Sequence, residues 1–150
     1  MKTGVFPVYD NTFKVGTKGR TSEEADMVPV KEMESFSVAI DGNVEDWKPM
    51  EQQGWSERMT TGKALTISFA GKLCPGDPGN DYIAGLAWKS GTDCDTKFEW
   101  TFPSGAKLAF DAVVSVTAIG GGDSTNVAAL EFDLMSHGKP TFTPAGGPTA

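Results

Sequence analysis

The chain has 150 residues, the size of one domain that buries a core of its own. Hydrophobic residues make up 39% and charged residues 22%, as in an ordinary soluble globular domain, and 18 glycines and 9 prolines favour many turns. The formal net charge is −7, so the surface repels nucleic-acid phosphates. This excludes a typical DNA-binding module, but not a protein that DNA passes without sticking.

Cysteine usage and the first residues predict a soluble protein made in a cytoplasm. Only Cys74 and Cys94 are present, too few for a disulfide framework, so we expect two reduced, partly buried thiols. Residues 1–7 lack the apolar run of a signal peptide. No stretch of the sequence is apolar for long enough to span a membrane.

Residues 1–27 have low hydrophobicity and predict an N-terminal arm. Residues 17–26 are polar, whereas Phe6, Tyr9, Phe13 and Val15 supply apolar anchors. Such an arm can be disordered in a free chain and ordered by a partner. The alternative is a frayed terminus, which the apolar anchors disfavour.

Residues 28–40 predict a strand, because Phe36, Val38 and Ile40 alternate with polar residues. Asp41-Gly42 predicts a turn, and residues 41–61 show neither helical nor strand periodicity. We therefore expect a long inter-strand loop over 41–61. Trp47, Met50, Trp55 and Met59 would be poorly covered there in a monomer, which favours an interface. The alternative is a hairpin whose tryptophans fold back onto the sheet.

Residues 62–73 predict a second strand with Leu65, Ile67 and Phe69 on one face. A short helix should follow, with Asp77 as its N-cap and Pro78 as its first residue. Gly91 is the expected stop of this helix.

The C-terminal third predicts three strands separated by turns, over 96–102, 106–118 and 127–135. In the last of them Leu130, Phe132 and Leu134 share one face, while Glu131 and Asp133 share the other. Residues 141–150 are rich in proline, glycine, alanine and threonine and predict a flexible C-terminal tail.

Catalytic and metal-binding signatures are weak. The single histidine, His137, has no evident acid or nucleophile partner and is best interpreted as a turn residue. The two cysteines and one histidine do not match a zinc spacing, and residues 77–81 lack the later ligands of a calcium loop. Glu131 and Asp133 could form a carboxylate pair, but a solvated stripe is the simpler interpretation. We expect no enzyme activity, cofactor or metal.

The order of these elements resembles a known family. Over residues 1–143 the chain is similar to the major tail tube proteins of long-tailed, lambda-like bacteriophages. The segments that carry the resemblance are Met33–Val38, Asp46-Trp47, Gly54-Trp55, Thr61–Gly71, Leu86–Trp88, Phe102–Gly105, Phe110–Ser115 and Gly138–Pro140.

This resemblance implies a mostly β fold, a sandwich or barrel of two packed antiparallel sheets with one short flanking helix, as a single domain over 1–150. It also implies hexameric rings that stack into a tube, with one sheet of each subunit joining its neighbours into a barrel around a channel. The expected contacts between subunits and rings are made by Phe6, Tyr9, Phe13, Trp47, Met50, Trp55 and Met59. The expected channel-lining acids are Glu131, Asp133, Glu99, Asp111 and Glu34.

The further partners that the resemblance implies are a tape measure protein, a tail terminator and baseplate or tail-tip proteins. DNA would pass through the channel without specific binding, and the tail would be assembled in the host cytoplasm as part of the virion. Two alternatives stay open: the tube protein of a type VI secretion system or tail-like bacteriocin, and a ligand-binding β-sandwich whose tryptophans stack on sugars.

Overall fold

The computed structural model describes residues 4–145, which contain eight strands and one α-helix. The first and last residues of the expected arm and tail, 1–3 and 146–150, lie outside this range. The strands are β1 (Thr12–Gly16), β2 (Met27–Pro29), β3 (Met33–Trp47), β4 (Glu57–Lys72), β5 (Asp95–Thr101), β6 (Lys107–Ile119), β7 (Ala129–Ser136) and β8 (Thr141–Thr143). Helix α1 (Pro78–Gly85) lies between β4 and β5.

The strands form one antiparallel sheet in the order β2-β1-β5-β6-β7-β4-β3, with β8 paired to β6. Strand β6 belongs to both halves of this sheet: residues 107–113 pair with β5, and residues 112–119 pair with β7. The sheet therefore has two layers joined at β6. We call β2-β1-β5 with the first half of β6 the first layer, and the second half of β6 with β7-β4-β3 the second layer. The expected mostly antiparallel fold with one short flanking helix is confirmed.

The core lies between the two layers. The ring of Phe69 on β4 contacts Phe13 on β1 edge to face, with ring centres 4.8 Å apart, and lies 5.6 Å from Phe98 on β5. Within its own layer Phe69 stacks on Phe132, with centres 5.0 Å apart. Strands β4 and β5 are separated by β7 and β6 in the sheet, so these contacts require the sheet to fold over.

The arm predicted for residues 1–27 is wrong where β1 forms. This strand lies between β2 and β5, and both Val15 and Phe13 are buried, with Phe13 only 9% exposed. Phe13 is therefore a core residue and not a contact between subunits. The segment is short and flanked by polar residues, which concealed the two-residue spacing of its buried side chains. The predicted tail is likewise wrong for Thr141–Thr143, which form β8.

Helix α1 begins as predicted, with the Asp77 carboxylate accepting a hydrogen bond of 3.0 Å from the backbone N–H of Asn80. It ends at Gly85 and not at Gly91, because a 3-10 turn follows over Leu86–Trp88. The fully buried Asn80 side chain accepts from the N–H of Cys74 at 3.0 Å. Its amide group also donates to the carbonyls of Lys72, at 2.9 Å, and Lys31, at 3.2 Å. This side chain joins the helix to the end of β4 and to the segment before β3.

We expect Asn80→Ala to lower the free energy of unfolding by about 2 kcal/mol, because it removes three hydrogen bonds between a buried side chain and the backbone. Urea denaturation of the purified protein measures the change. Asn126→Ala, in an exposed turn, is the control and should leave the midpoint within error. Equal midpoints for the two variants would contradict this role of Asn80.

Candidate functional site

The β3–β4 hairpin extends well beyond the rest of the sheet. The two strands pair from Met33 and Gly71 to Trp47 and Glu57, whereas β4 pairs with β7 only over Thr66–Lys72. Residues 37–47 and 57–64 are exposed throughout. We call the part formed by residues 41–61 the projecting hairpin, and its connecting segment, residues 48–56, the hairpin tip.

The long loop predicted over 41–61 is therefore wrong, because residues 41–47 and 57–61 belong to β3 and β4. A strand shows a two-residue apolar period only where one face is covered, and neither face of this hairpin is covered within the chain. The alternative, a hairpin whose tryptophans fold back onto the sheet, predicted the hairpin correctly. Its prediction that the tryptophans are covered is wrong. Trp55 is 78% exposed and Trp47 is 43% exposed.

The projecting hairpin has an unpaired edge on each side. Strand β3 is last in the sheet order, so its outer edge has no partner strand in the described chain. Residues 57–64 of β4 pair only with β3, so the opposite edge is also open there. Unpaired N–H and C=O groups along exposed strands attract another strand. The hairpin therefore has unpaired backbone groups along both sides within the described residues.

Large apolar side chains are concentrated on this element. The predicted contact residues Trp47, Met50, Trp55 and Met59 are all exposed on it. Three further exposed apolar side chains were not predicted as contacts. Val38 and Ile40 lie on β3 just before the projecting hairpin, where the alternation predicts a buried face, and Val44 lies in the predicted loop. Phe6 and Tyr9, also predicted contacts, are exposed in the segment before β1.

Glu131 and Asp133 lie on the outer face of β7, opposite the buried Leu130, Phe132 and Leu134. Their cross-strand neighbours are small: Asp133 lies between Ser68 and Ser115, and Glu131 lies between Ala70 and Ala118. Within the described residues, neither carboxylate has an ion pair. The outer face of the second layer is therefore small, polar and negatively charged.

Of the other three predicted channel acids, two lie on the opposite layer. Glu34, near the start of β3, forms a 2.8 Å ion pair with Lys72. Glu99 and Asp111 are on the outer face of the first layer, on the far side of the core from Glu131 and Asp133. Glu99 lies 3.6 Å from the ammonium group of Lys107, and Asp111 has Lys97 as its cross-strand neighbour. One wall cannot hold all five acids.

The structure places His137, predicted to be a turn residue, at the end of the sheet. His137 is exposed after β7, and its backbone N–H donates to the carbonyl of Asp111 at 2.8 Å. Residues 4–145 hold no cluster of three histidine, cysteine or acidic side chains placed to bind a metal ion. None of the helices in this range is long and apolar enough to cross a bilayer.

Comparison with protein-family models and with curated sequences gives no match, whereas comparison with solved structures does. A chain from the tail of an empty gene transfer agent particle, refined with helical and C6 symmetry, has a TM-score of 0.73 at 16% identity. The match covers 93% of the present chain and 100% of that one.

Two chains of other particles have the same fold. One comes from the virion of a native gene transfer agent, with a TM-score of 0.68 at 16% identity, covering 93% and 100% of the two chains. The other belongs to the tube-terminating cap of the anti-feeding prophage, with a TM-score of 0.63 at 17% identity, covering 97% and 95%. The chain therefore has the fold found in tails and tube terminators of phage-like particles, as the sequence predicts.

Proposed function

We propose that this chain is a structural subunit of a bacteriophage or phage-like tail tube, which assembles with copies of itself into stacked hexameric rings around a channel for DNA. One observation carries the proposal: a projecting hairpin has an open strand edge on each side and exposed tryptophans near its tip. A monomer would leave these edges and side chains in water, whereas a ring of copies would cover them.

The two open edges explain how a ring would form. The β3 edge of one copy pairs with the open β4 edge of the next copy, and backbone hydrogen bonds continue the sheet across the boundary. This contact joins two different surfaces, so it repeats from copy to copy and gives a closed ring when the rotation closes. Six copies per ring is the number implied by the resemblance to tail tube proteins, and the C6 symmetry of the similar gene transfer agent tail is consistent with it.

The same arrangement selects the face that lines the channel. One face of the second layer is covered by the core and the first layer, so only its outer face is free to face the bore. That face carries Glu131 and Asp133, and repetition around each ring would make the wall negatively charged. The wall would repel DNA phosphates and let the genome slide. Glu99 and Asp111 would then face the outside of the tube.

Exposed Phe6 and Tyr9 would contact neighbouring copies or rings. The tape measure protein, tail terminator and baseplate or tail-tip proteins are the further proposed partners, in a virion tail assembled in the host cytoplasm. A type VI or bacteriocin tube would use the same geometry.

A sugar-binding module fits less well, because Trp100 packs against Phe13 and Phe36 and donates a 2.9 Å hydrogen bond to Asn11. Of the four tryptophans, only Trp47 and Trp55 lie on the same element, the projecting hairpin, so the four do not form one surface for stacking on a sugar.

The assembly proposal is tested by shortening the hairpin. Replacing residues 44–61 with Asn-Gly keeps the pairing of Asn43 with Gly62 and supplies a two-residue turn. We expect this variant to fold but to stay monomeric, because residues 44–61 contribute nothing to the core. The full-length protein at high concentration should form rings or tubes in negative-stain electron microscopy.

Circular dichroism and thermal unfolding of the shortened variant provide the control for folding. Rings formed equally well by the shortened protein would show that the hairpin is not the assembly element. A full-length protein that stays monomeric at every concentration would remove the tube proposal itself.

The channel proposal is tested by neutralising its wall. The double variant Glu131→Gln with Asp133→Asn should still assemble, because neither carboxylate has an ion pair within residues 4–145. Particles that carry it should release DNA more slowly than the parent, because phosphates are repelled less by the wall. Release is followed by dye fluorescence after triggering.

The matched control is Glu99→Gln with Asp111→Asn, which removes the same charge from the opposite layer. This pair should leave release unchanged. Slow release with the control, or normal release with both variants, would place the channel wall elsewhere.

A further inference from the structure

We propose that an apolar groove at the base of the projecting hairpin binds the hairpin tip of a second copy of this chain. The inference rests on the proposed tube function and names the contact that holds neighbouring copies together. The groove has a volume of about 570 Å³. Its lining includes Ile40 and Leu65 on the hairpin, Leu108 on β6, and Gly138, Lys139 and Pro140 after β7.

The groove continues the core-facing row of apolar side chains on β3 and β4 into a region where little of the opposite layer covers them. Phe36, Val38 and Ile40 are spaced two apart on β3 and pair with Phe69, Ile67 and Leu65, so all six point toward the core side. Burial ends abruptly along this row: Leu65 is buried, while Ile40 is 66% exposed. Of the first layer only Leu108 lines the groove, and Gly138–Pro140 after β7 form another part of its wall. Apolar surface of this kind is stabilised when another molecule covers it.

The chain's own tip cannot fill the groove. Trp47 is seven positions beyond Ile40, a span of roughly 23 Å in an extended strand. The ladder between β3 and β4 is continuous to Trp47 and Glu57, apart from one bulge after Asn43, and keeps the hairpin extended. A hairpin tip that fills the groove must therefore belong to another copy.

The hairpin tip has the size and chemistry that the groove requires. Met50 and Trp55 are almost wholly exposed and are the largest apolar side chains of the tip. A groove of this volume accommodates an indole and a thioether side chain. A tryptophan placed in such a pocket is a common source of binding free energy at interfaces.

Charge favours the same occupant. Lys63 and Lys139 border the groove, and neither has an ion pair within residues 4–145. The tip carries Glu51 and Lys48, and residues 45–58, which include the tip and the strand ends beside it, hold four acidic and two basic residues. The competing apolar segment before β1, residues 4–11, has Asp10 as its single charged residue. Each copy has one tip and one groove, so the contact repeats around or along an assembly.

Cross-linking tests the contact directly. Two variants, Gln52→Cys and Lys139→Cys, are prepared separately in a Cys74→Ser background, mixed and oxidised under assembly conditions. We expect a disulfide dimer that contains one copy of each variant. Gln52→Cys mixed with Ser90→Cys, at an exposed position distant in the sequence from the groove lining, is the control and should give none.

Equal cross-linking in the control would overturn the proposal. So would preferential capture of Lys139→Cys by Val5→Cys, which would assign the groove to the N-terminal segment.

A matched pair of tryptophans tests the energetic role of the tip. Trp55 and Trp88 are 78% and 81% exposed, but Trp88 follows α1 and not the hairpin. Trp55→Ser should raise the protein concentration needed for half-maximal assembly by about tenfold or more, which corresponds to about 1.4 kcal/mol. Trp88→Ser should change it by less than about twofold. Sedimentation velocity measures both.

Charge reversal completes the test. Glu51→Lys and Lys139→Glu should each weaken assembly, and their combination should restore it. If the unmodified chain assembles but Trp55→Ser has no effect, the groove proposal fails and the tube function stands. If the unmodified chain does not assemble, both fail together.

Discussion

Packing of Phe69 against the opposite layer is the interaction on which the rest of the structure depends. Its ring contacts Phe13 and Phe98 across the core and stacks on Phe132 within its own layer. These contacts hold a single sheet folded at β6, and folding the sheet in this way gives each layer one covered and one free face. The free face of the second layer is where Glu131 and Asp133 lie, so the proposed channel wall is a consequence of the core.

The projecting hairpin shows where a chain can be well ordered without burying its side chains. Its strands are held together by backbone pairing, yet residues 41–47 and 57–61 remain exposed to water. Open strand edges of this length promote aggregation of a protein that acts as a monomer, but they supply pairing sites in a protein that polymerises. In the proposed assembly these edges would pair with strands of neighbouring copies. Insertion of a hairpin tip into the groove near Ile40 would cover the remaining apolar surface.

Electrostatics follow the same division between the two layers. The acids of the first layer have lysines close by, as Glu99 has Lys107, whereas Glu131 and Asp133 have only small neighbours. Compensated charge suits an outer surface that contacts other proteins. Uncompensated negative charge suits a wall that DNA must pass, because repulsion prevents binding along the whole path.

The sequence by itself determined the strands with one buried face, such as β5, β6 and β7, and the N-cap of α1, because burial of one face and capping leave local patterns. It also predicted that Trp47, Met50, Trp55 and Met59 lack cover, and their exposure is confirmed, whereas their place at an interface stays a prediction. Only the tertiary structure decided that 41–61 is a hairpin, that Phe13 is a core residue, and that five acids fall on different surfaces. Those facts depend on which strands become neighbours, and no local pattern records the pairing of strands distant in sequence.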